Sequence, residues 1–206
     1  MGVKIVVDYE NIPSKSKKIR EYARQINGKL LDIYSQLEKM QNSWNGARYE
    51  ELIKIYTSLI PVFNKSLEIV VTEIPYMFEV IANSFSTIDI QRKIIIAQRE
   101  TPKKITAITK TKSKSLKYFG FLVEKDKKAI LADFNEINNL LDNIGIIIGQ
   151  IQIESDAMVE FKTSVKRFIN EYKKLINTNS KKFSTIMDQI KNIIELAEKN
   201  NTIQPR

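Results

Sequence analysis

Apolar residues recur along this chain in alternating steps of three and four, the spacing that gathers them on one side of an α-helix. The first stripe is Ile19, Ala23, Ile26, Leu30, Ile33, Leu37 and Met40, and Trp44 takes its next place. A second stripe starts at Tyr49 and continues through Leu52, Tyr56, Leu59, Phe63, Leu67, Val70, Ile74, Met77, Ile81, Phe85 and Ile88. Between them stands Ser43-Trp44-Asn45-Gly46-Ala47. Asn45 and Gly46 tolerate the positive φ angles of a tight turn, and Trp44 is large enough to close one end of a packed seam. The pattern predicts a helical hairpin with this pentapeptide at its tip.

The first helix is expected from about Ile12 to Asn42, with Asn11 as N-cap and Pro13 tolerated in the first turn, where its missing N–H is not needed. Gly28 inside it costs about 1 kcal/mol relative to Ala, which implies either a close approach of backbones or a slightly loose helix. The second helix is expected from about Ala47 to Asp89 and contains Pro61 and Pro75. Each proline removes a hydrogen bond and crowds the preceding turn, so the spacing predicts bends without a break. Val3 to Val7 reads as a short extended arm.

Residues 90–117 are ambiguous. Lys93 to Ala97 and Ile105 to Thr109 are β-prone and flank Glu100-Thr101-Pro102-Lys103, which reads either as a short β-hairpin or as an extension of the second helix followed by a flexible connection. Beyond it the first half returns. At a shift of 111 residues Ile130, Phe134, Ile137, Leu141, Ile144, Ile148 and Ile151 fall on the first stripe, and at a shift of 112 Phe161, Val165, Phe168, Tyr172 and Leu175 fall on Tyr49, Ile53, Tyr56, Ile60 and Phe63. One inserted residue separates the copies, at a turn where Ser155-Asp156-Ala157 offers an N-cap but no tryptophan. The predicted fold class is therefore all-α: two antiparallel hairpins packed as a four-helix bundle, a dimer fused into one chain. The corresponding domains are a hairpin over 1–97, a linker over 98–117 and a degenerate second hairpin over 118–206.

Composition narrows the chemistry. With 206 residues, no cysteine and no histidine, the chain has no disulfide, no thiolate nucleophile and neither of the commonest metal-binding side chains. No cofactor or metal is expected, and no acid pair, phosphate-cradling loop or nucleophile elbow points to an enzyme. The absence of eighteen consecutive apolar residues and of a charged-then-apolar leader predicts neither a membrane span nor a cleaved signal peptide. The net charge of +9 is unevenly spread: residues 98–117 carry 7 basic and 1 acidic side chains, and the flanking parts are nearly neutral. Tyr118 and Phe119 are the only aromatics beside that lysine segment, so nucleic-acid binding is not expected.

Trp44-x-Gly46 between two long helices, without a conventional signal peptide, resembles the WXG family of small helical hairpins handled by type VII (ESX) secretion. The resemblance covers residues 3 to about 89, and residues 118–200 as a degenerate copy. It implies a non-enzymatic secretion substrate, or the targeting partner or chaperone of a larger effector, secreted or held at the cell surface by a leaderless route after a cytoplasmic stage. It also implies a type VII secretion ATPase or a larger helical effector as partner; with both hairpins in one chain, the protein is expected to be monomeric. In that family a tyrosine followed four residues later by an acid, beyond the second helix, acts as an export signal. Phe85 and Asp89 keep the spacing without the hydroxyl, whereas Tyr34 and Glu38 keep the letters in the first helix. The resemblance thus names Trp44, Gly46, Phe85 and Asp89 as recognition residues. The alternative is structural: Trp44 closes the core and Phe85 ends the seam.

A rival reading is a pore-forming or membrane-interacting helical protein, suggested by Ile144-Gly145-Ile146-Ile147-Ile148-Gly149. That run is shorter than a span and is followed by Gln150 and Gln152, which favours burial between helices.

Overall fold

The computed structural model describes residues 11–43, 47–86, 97–108, 120–152 and 155–200. All regular structure among them is helical. In chain order it comprises α1 (Ile12–Ser43), α2 (Ala47–Leu67), a π-helical segment (Glu68–Glu73), α3 (Ile74–Ser86), α4 (Gly120–Gly149) and α5 (Asp156–Asn200).

The helix ends follow from local chemistry. α1 opens with the Lys15 N–H donating to the Asn11 carbonyl at 2.9 Å. α5 is capped by Ser155, whose Oγ accepts the Met158 N–H at 3.2 Å while its carbonyl accepts that of Val159 at 2.9 Å. This is the N-cap expected from Ser155-Asp156-Ala157. A Cβ built on Gly28 meets nothing within 4 Å, so no close approach of backbones explains that glycine.

Pro61 is carried inside α2 without a break. Before Pro75 the helix widens: the Ile74 N–H reaches back five residues to the Ile69 carbonyl. A proline ring in a regular helix crowds the carbonyl four residues before it, and a wider turn at that place leaves room. The wide turn also holds one residue more, and this corrects the expected seam. Met77, placed on the stripe by its spacing, is 41% exposed, and Phe78 is fully buried instead.

The described residues form two compact units, one within Met1–Gly28, Asn64–Lys104 and Ile137–Lys174, the other within Lys29–Phe63, Ile105–Glu136 and Leu175–Arg206. In the first, the core gathers Ile19, Ala23 and Ile26 of α1, Val70, Ile74 and Phe78, Ile137, Leu141 and Ile144 of α4, and Val165 and Ile169 of α5. In the second, a chain of rings joins four helices. Tyr56 of α2 lies 6.4 Å from Tyr34 of α1 and 6.5 Å from Phe183 of α5, which meets Phe134 of α4 edge-on at 5.5 Å. Such tilted and edge-to-face pairs contribute beyond the area they bury. Asp133 of α4, nearly buried, accepts hydrogen bonds from Lys29 Nζ and Gln36 Nε2 of α1, both at 3.0 Å. The first of these holds the Lys29 ammonium above its ordinary pKa.

Every first-stripe residue from Ile19 to Met40 is buried, and so are all seven of its counterparts from Ile130 to Ile151. The register of the last helix needs correction. Phe161, Phe168 and Leu175 are only half-buried. The buried positions are Val165, Ile169, Tyr172 and Ile176, each 113 residues after Leu52, Tyr56, Leu59 and Phe63. The buried stripe of α5 thus follows that of α2 at a shift of 113 residues, not 112. In the apolar run of α4, Ile144 and Ile148 are buried while Ile146 is exposed. No described helix is long and apolar enough to cross a membrane.

Of the two readings of the connection, the β-hairpin shows no strand in the part that is described. Residues 97–108 contain no strand; Lys93 to Ile96 and the arm Val3 to Val7 lie outside the described residues. Instead, Gln98 and Lys103 give both main-chain polar groups, and Glu100 its carbonyl, to side chains on the helices, which fixes this stretch without a ladder.

Candidate protein-interaction site

Of the four recognition residues named from the sequence, Trp44, Gly46 and Asp89 lie outside the described residues. Phe85 sits in the last turn of α3, and only its backbone is described.

Only positions 44–46 separate α1 from α2. On the α1 side Met40 and Gln41 are buried, and on the α2 side Tyr49 is buried. The Tyr49 hydroxyl donates to the Leu37 carbonyl at 2.9 Å, fastening the first turn of α2 to the last turns of α1. Burial, and then the nearby charge of Glu38, push the Tyr49 hydroxyl well above its ordinary pKa, so it stays a donor. Beside it, Arg48 and Glu51 form an exposed pair at 2.6 Å. A cavity of about 470 Å³ opens here, lined by Gln41, Tyr49, Ile53, Thr57, Ala107 and Ile108 among others. Ile105 and Ile108 are both buried, so the irregular segment is held by side chains one at a time.

Tyr34 and Glu38 do pair, with the hydroxyl donating to Glu38 Oε1 at 3.3 Å. Their four-residue spacing is satisfied within one turn of α1 and needs no partner.

The strongest polar cluster among the described residues was not singled out by motif. Glu79, on α3, is 3% exposed. Its carboxylate accepts from Arg20 Nε at 3.0 Å and Arg20 Nη2 at 2.6 Å, from the Gln98 N–H at 3.1 Å, and from the Ser16 hydroxyl. Arg24 grips Glu100 in the same two-pronged way, at 3.0 and 2.6 Å. That hydrogen bonding, reinforced by the opposite charge, holds the Arg24 guanidinium above its ordinary pKa. Asn27 exchanges two hydrogen bonds of 2.9 Å with the backbone of Lys103, and Thr72 donates to the Glu100 carbonyl. Arg99 pairs with Glu73 at 3.2 Å and lies 4.4 Å over the Tyr76 ring. Residues 98–103 are thus strapped down by a bidentate Arg–carboxylate pair, a class of contact stronger than neutral hydrogen bonds, together with bonds to their backbone.

One signal in the sequence pointed to this clasp. Glu79 is the single charge in the apolar run Ile74-Pro75-Tyr76-Met77-Phe78-Glu79-Val80-Ile81, and a lone carboxylate in such a run needs a buried cation.

Among the described residues no three acidic side chains gather as a metal site. No protein-family model, curated protein or solved structure matches this chain.

Proposed function

We propose that this chain is a non-enzymatic helical protein of type VII secretion, acting as a substrate or as the targeting partner of a larger helical effector. The observation that carries the reading is the position of Trp44-x-Gly46 in a three-residue break between the 32 residues of α1 and the helical run that continues to Ser86. The Tyr49 bond to Leu37 supports a fold-back at this break. The tandem architecture is part of the proposal: hairpins over 1–97 and 118–206, joined by the basic connection, pack as an antiparallel four-helix bundle. The ring contacts from Tyr34 through Tyr56 and Phe183 to Phe134 support it, because they draw on all four long helical runs.

In this reading Trp44, Gly46, Phe85 and Asp89 form the surface read by the secretion ATPase or the effector. On the same reading the protein is cytoplasmic before export and reaches the medium or the cell surface by the type VII route. The test is export in the native host, with the cell fraction and culture supernatant assayed in parallel. Wild-type protein is expected in the supernatant, and Trp44→Ala or Asp89→Ala is expected to leave folded protein in the cells. Normal export of both variants defeats the reading.

A further inference from the structure

A second depression lies in the first compact unit, between the end of α4 and the beginning of α5. Its volume is about 530 Å³, within the roughly 300–1,000 Å³ of small-molecule sites. Ile148, Val165 and Ile169 are buried at its base. Gly145 and Gly149 stand one turn apart on its α4 wall, and neither contributes a side chain to fill it. Exposed Ile146 widens the apolar surface at the rim.

The charges at the rim are not balanced. Asp142, the one carboxylate lining the cleft, is paired with Lys173. Lys162 turns its ammonium to the Ile151 carbonyl. Lys166 is exposed at the rim and forms no ion pair among the described residues. An apolar base with one uncommitted ammonium at its edge suits a molecule with a greasy body and a single negative end. The α4 wall spans only about 10 Å from Asp142 to Gly149, short for a docked helix and suited to an alkyl chain.

We propose that this cleft binds a single-chain carboxylate, with its alkyl chain on Ile148, Val165 and Ile169 and its head group at Lys166. The proposal uses none of the recognition residues named above and does not depend on that reading.

The experiment is calorimetric titration of the full chain with octanoate, decanoate and dodecanoate, each below the concentration at which it forms micelles. Affinity is expected to rise about fourfold for each methylene buried. Gly149→Leu fills the cleft from a position where an added Cβ meets nothing within 4 Å and where φ is not positive. It is expected to weaken dodecanoate at least tenfold with the melting temperature unchanged or raised. Lys166→Glu is expected to weaken dodecanoate and leave the uncharged dodecanol unaffected. Absence of binding by wild-type protein overturns the proposal, and so does equal binding by Gly149→Leu. Adsorption to anionic phospholipid vesicles that Gly149→Leu does not diminish, without binding of the free carboxylates, marks a membrane surface as the ligand and also overturns it.

Discussion

Removing the carboxylate of Glu79 is expected to cost more than any other single truncation of a polar side chain in the described structure. Glu79→Ala deletes the acceptor of four hydrogen bonds and leaves the Arg20 guanidinium, whose side chain is 10% exposed, without its main counter-ion. Breaking a buried pair by deleting one partner costs about 3–5 kcal/mol, because the surviving charge stays desolvated. Arg20 keeps the Gln98 carbonyl and a second carboxylate, Glu100, at 3.3 Å, which places the expected loss near the low end, about 3 kcal/mol. For a chain of this size each kcal/mol lowers the melting temperature by roughly 2–4 °C, so the variant should melt about 6–12 °C below wild type. Urea unfolding at neutral pH should show a lower midpoint with an unchanged slope. Two further measurements tie the loss to the clasp. In a double-mutant cycle with Arg20→Met the single losses should fail to add by about 1–3 kcal/mol. Trypsin should cut faster after Arg99, Lys103 or Lys104, because the Gln98 amide has lost its anchor. A loss under about 1 kcal/mol, or single losses that simply add, would refute the assignment of Glu79 as the buried centre of the strap.

Other perturbations probe the helices themselves. Gly28→Ala, at a site open to a Cβ, should stabilise the protein by about 0.5–1 kcal/mol, read as a higher urea midpoint. Ser155→Ala removes the oxygen that accepts the Met158 N–H and should destabilise by about 1 kcal/mol in the same assay. Burial raises the pKa of the Tyr56 and Tyr172 hydroxyls, and neither has a hydrogen-bond partner among the described residues. Their folded pKa values lie above the unfolded value near 10, so this contribution is whole below about pH 10 and is lost as the pH rises further, by roughly 1.4 kcal/mol per unit for each tyrosine. The double variant Tyr56→Phe/Tyr172→Phe should be about as stable as wild type at pH 7 or slightly more so, and should lose stability more slowly in alkaline urea titrations.

Much of the helical frame was legible because periodicity is a property of the chain alone. α1 begins at Ile12 as expected from Asn11 and Pro13, and Ser155 caps α5. Three features escaped. The exchange of Met77 for Phe78 depends on a π turn, which adds a residue that no repeat of three and four anticipates. The one-residue shift in the register of α5 was hidden because this helix offers two adjacent apolar rows, Phe161-Phe168-Leu175 and Val165-Ile169-Ile176, and spacing alone does not say which faces inward. The strand offered as one reading of Ile105 to Thr109 rested on β-prone residues, and none forms over 105–108. Propensity is a weak guide there: Ile105 and Ile108 are buried from an irregular segment, and the stretch just before them is fixed through the backbone of Gln98, Glu100 and Lys103 by Arg20, Asn27, Thr72 and Glu79.

The candidate recognition residues were legible only as a motif, since Trp44, Gly46 and Asp89 fall outside the described structure.

The amino-acid sequence by itself determined that this protein is helical, where α1, α2 and α5 start and which stripe of α1 and of α4 is buried. These depend on capping groups and on the 3.6-residue turn, both local. Tertiary structure decided what crosses from one segment to another: the clasp of Glu79 with Arg20, the strap over 98–103, the inward row of α5 and the cleft at Gly149. Each depends on groups far apart in the chain meeting where water is excluded, where an unpaired charge or an unfilled space carries a cost that no local pattern records.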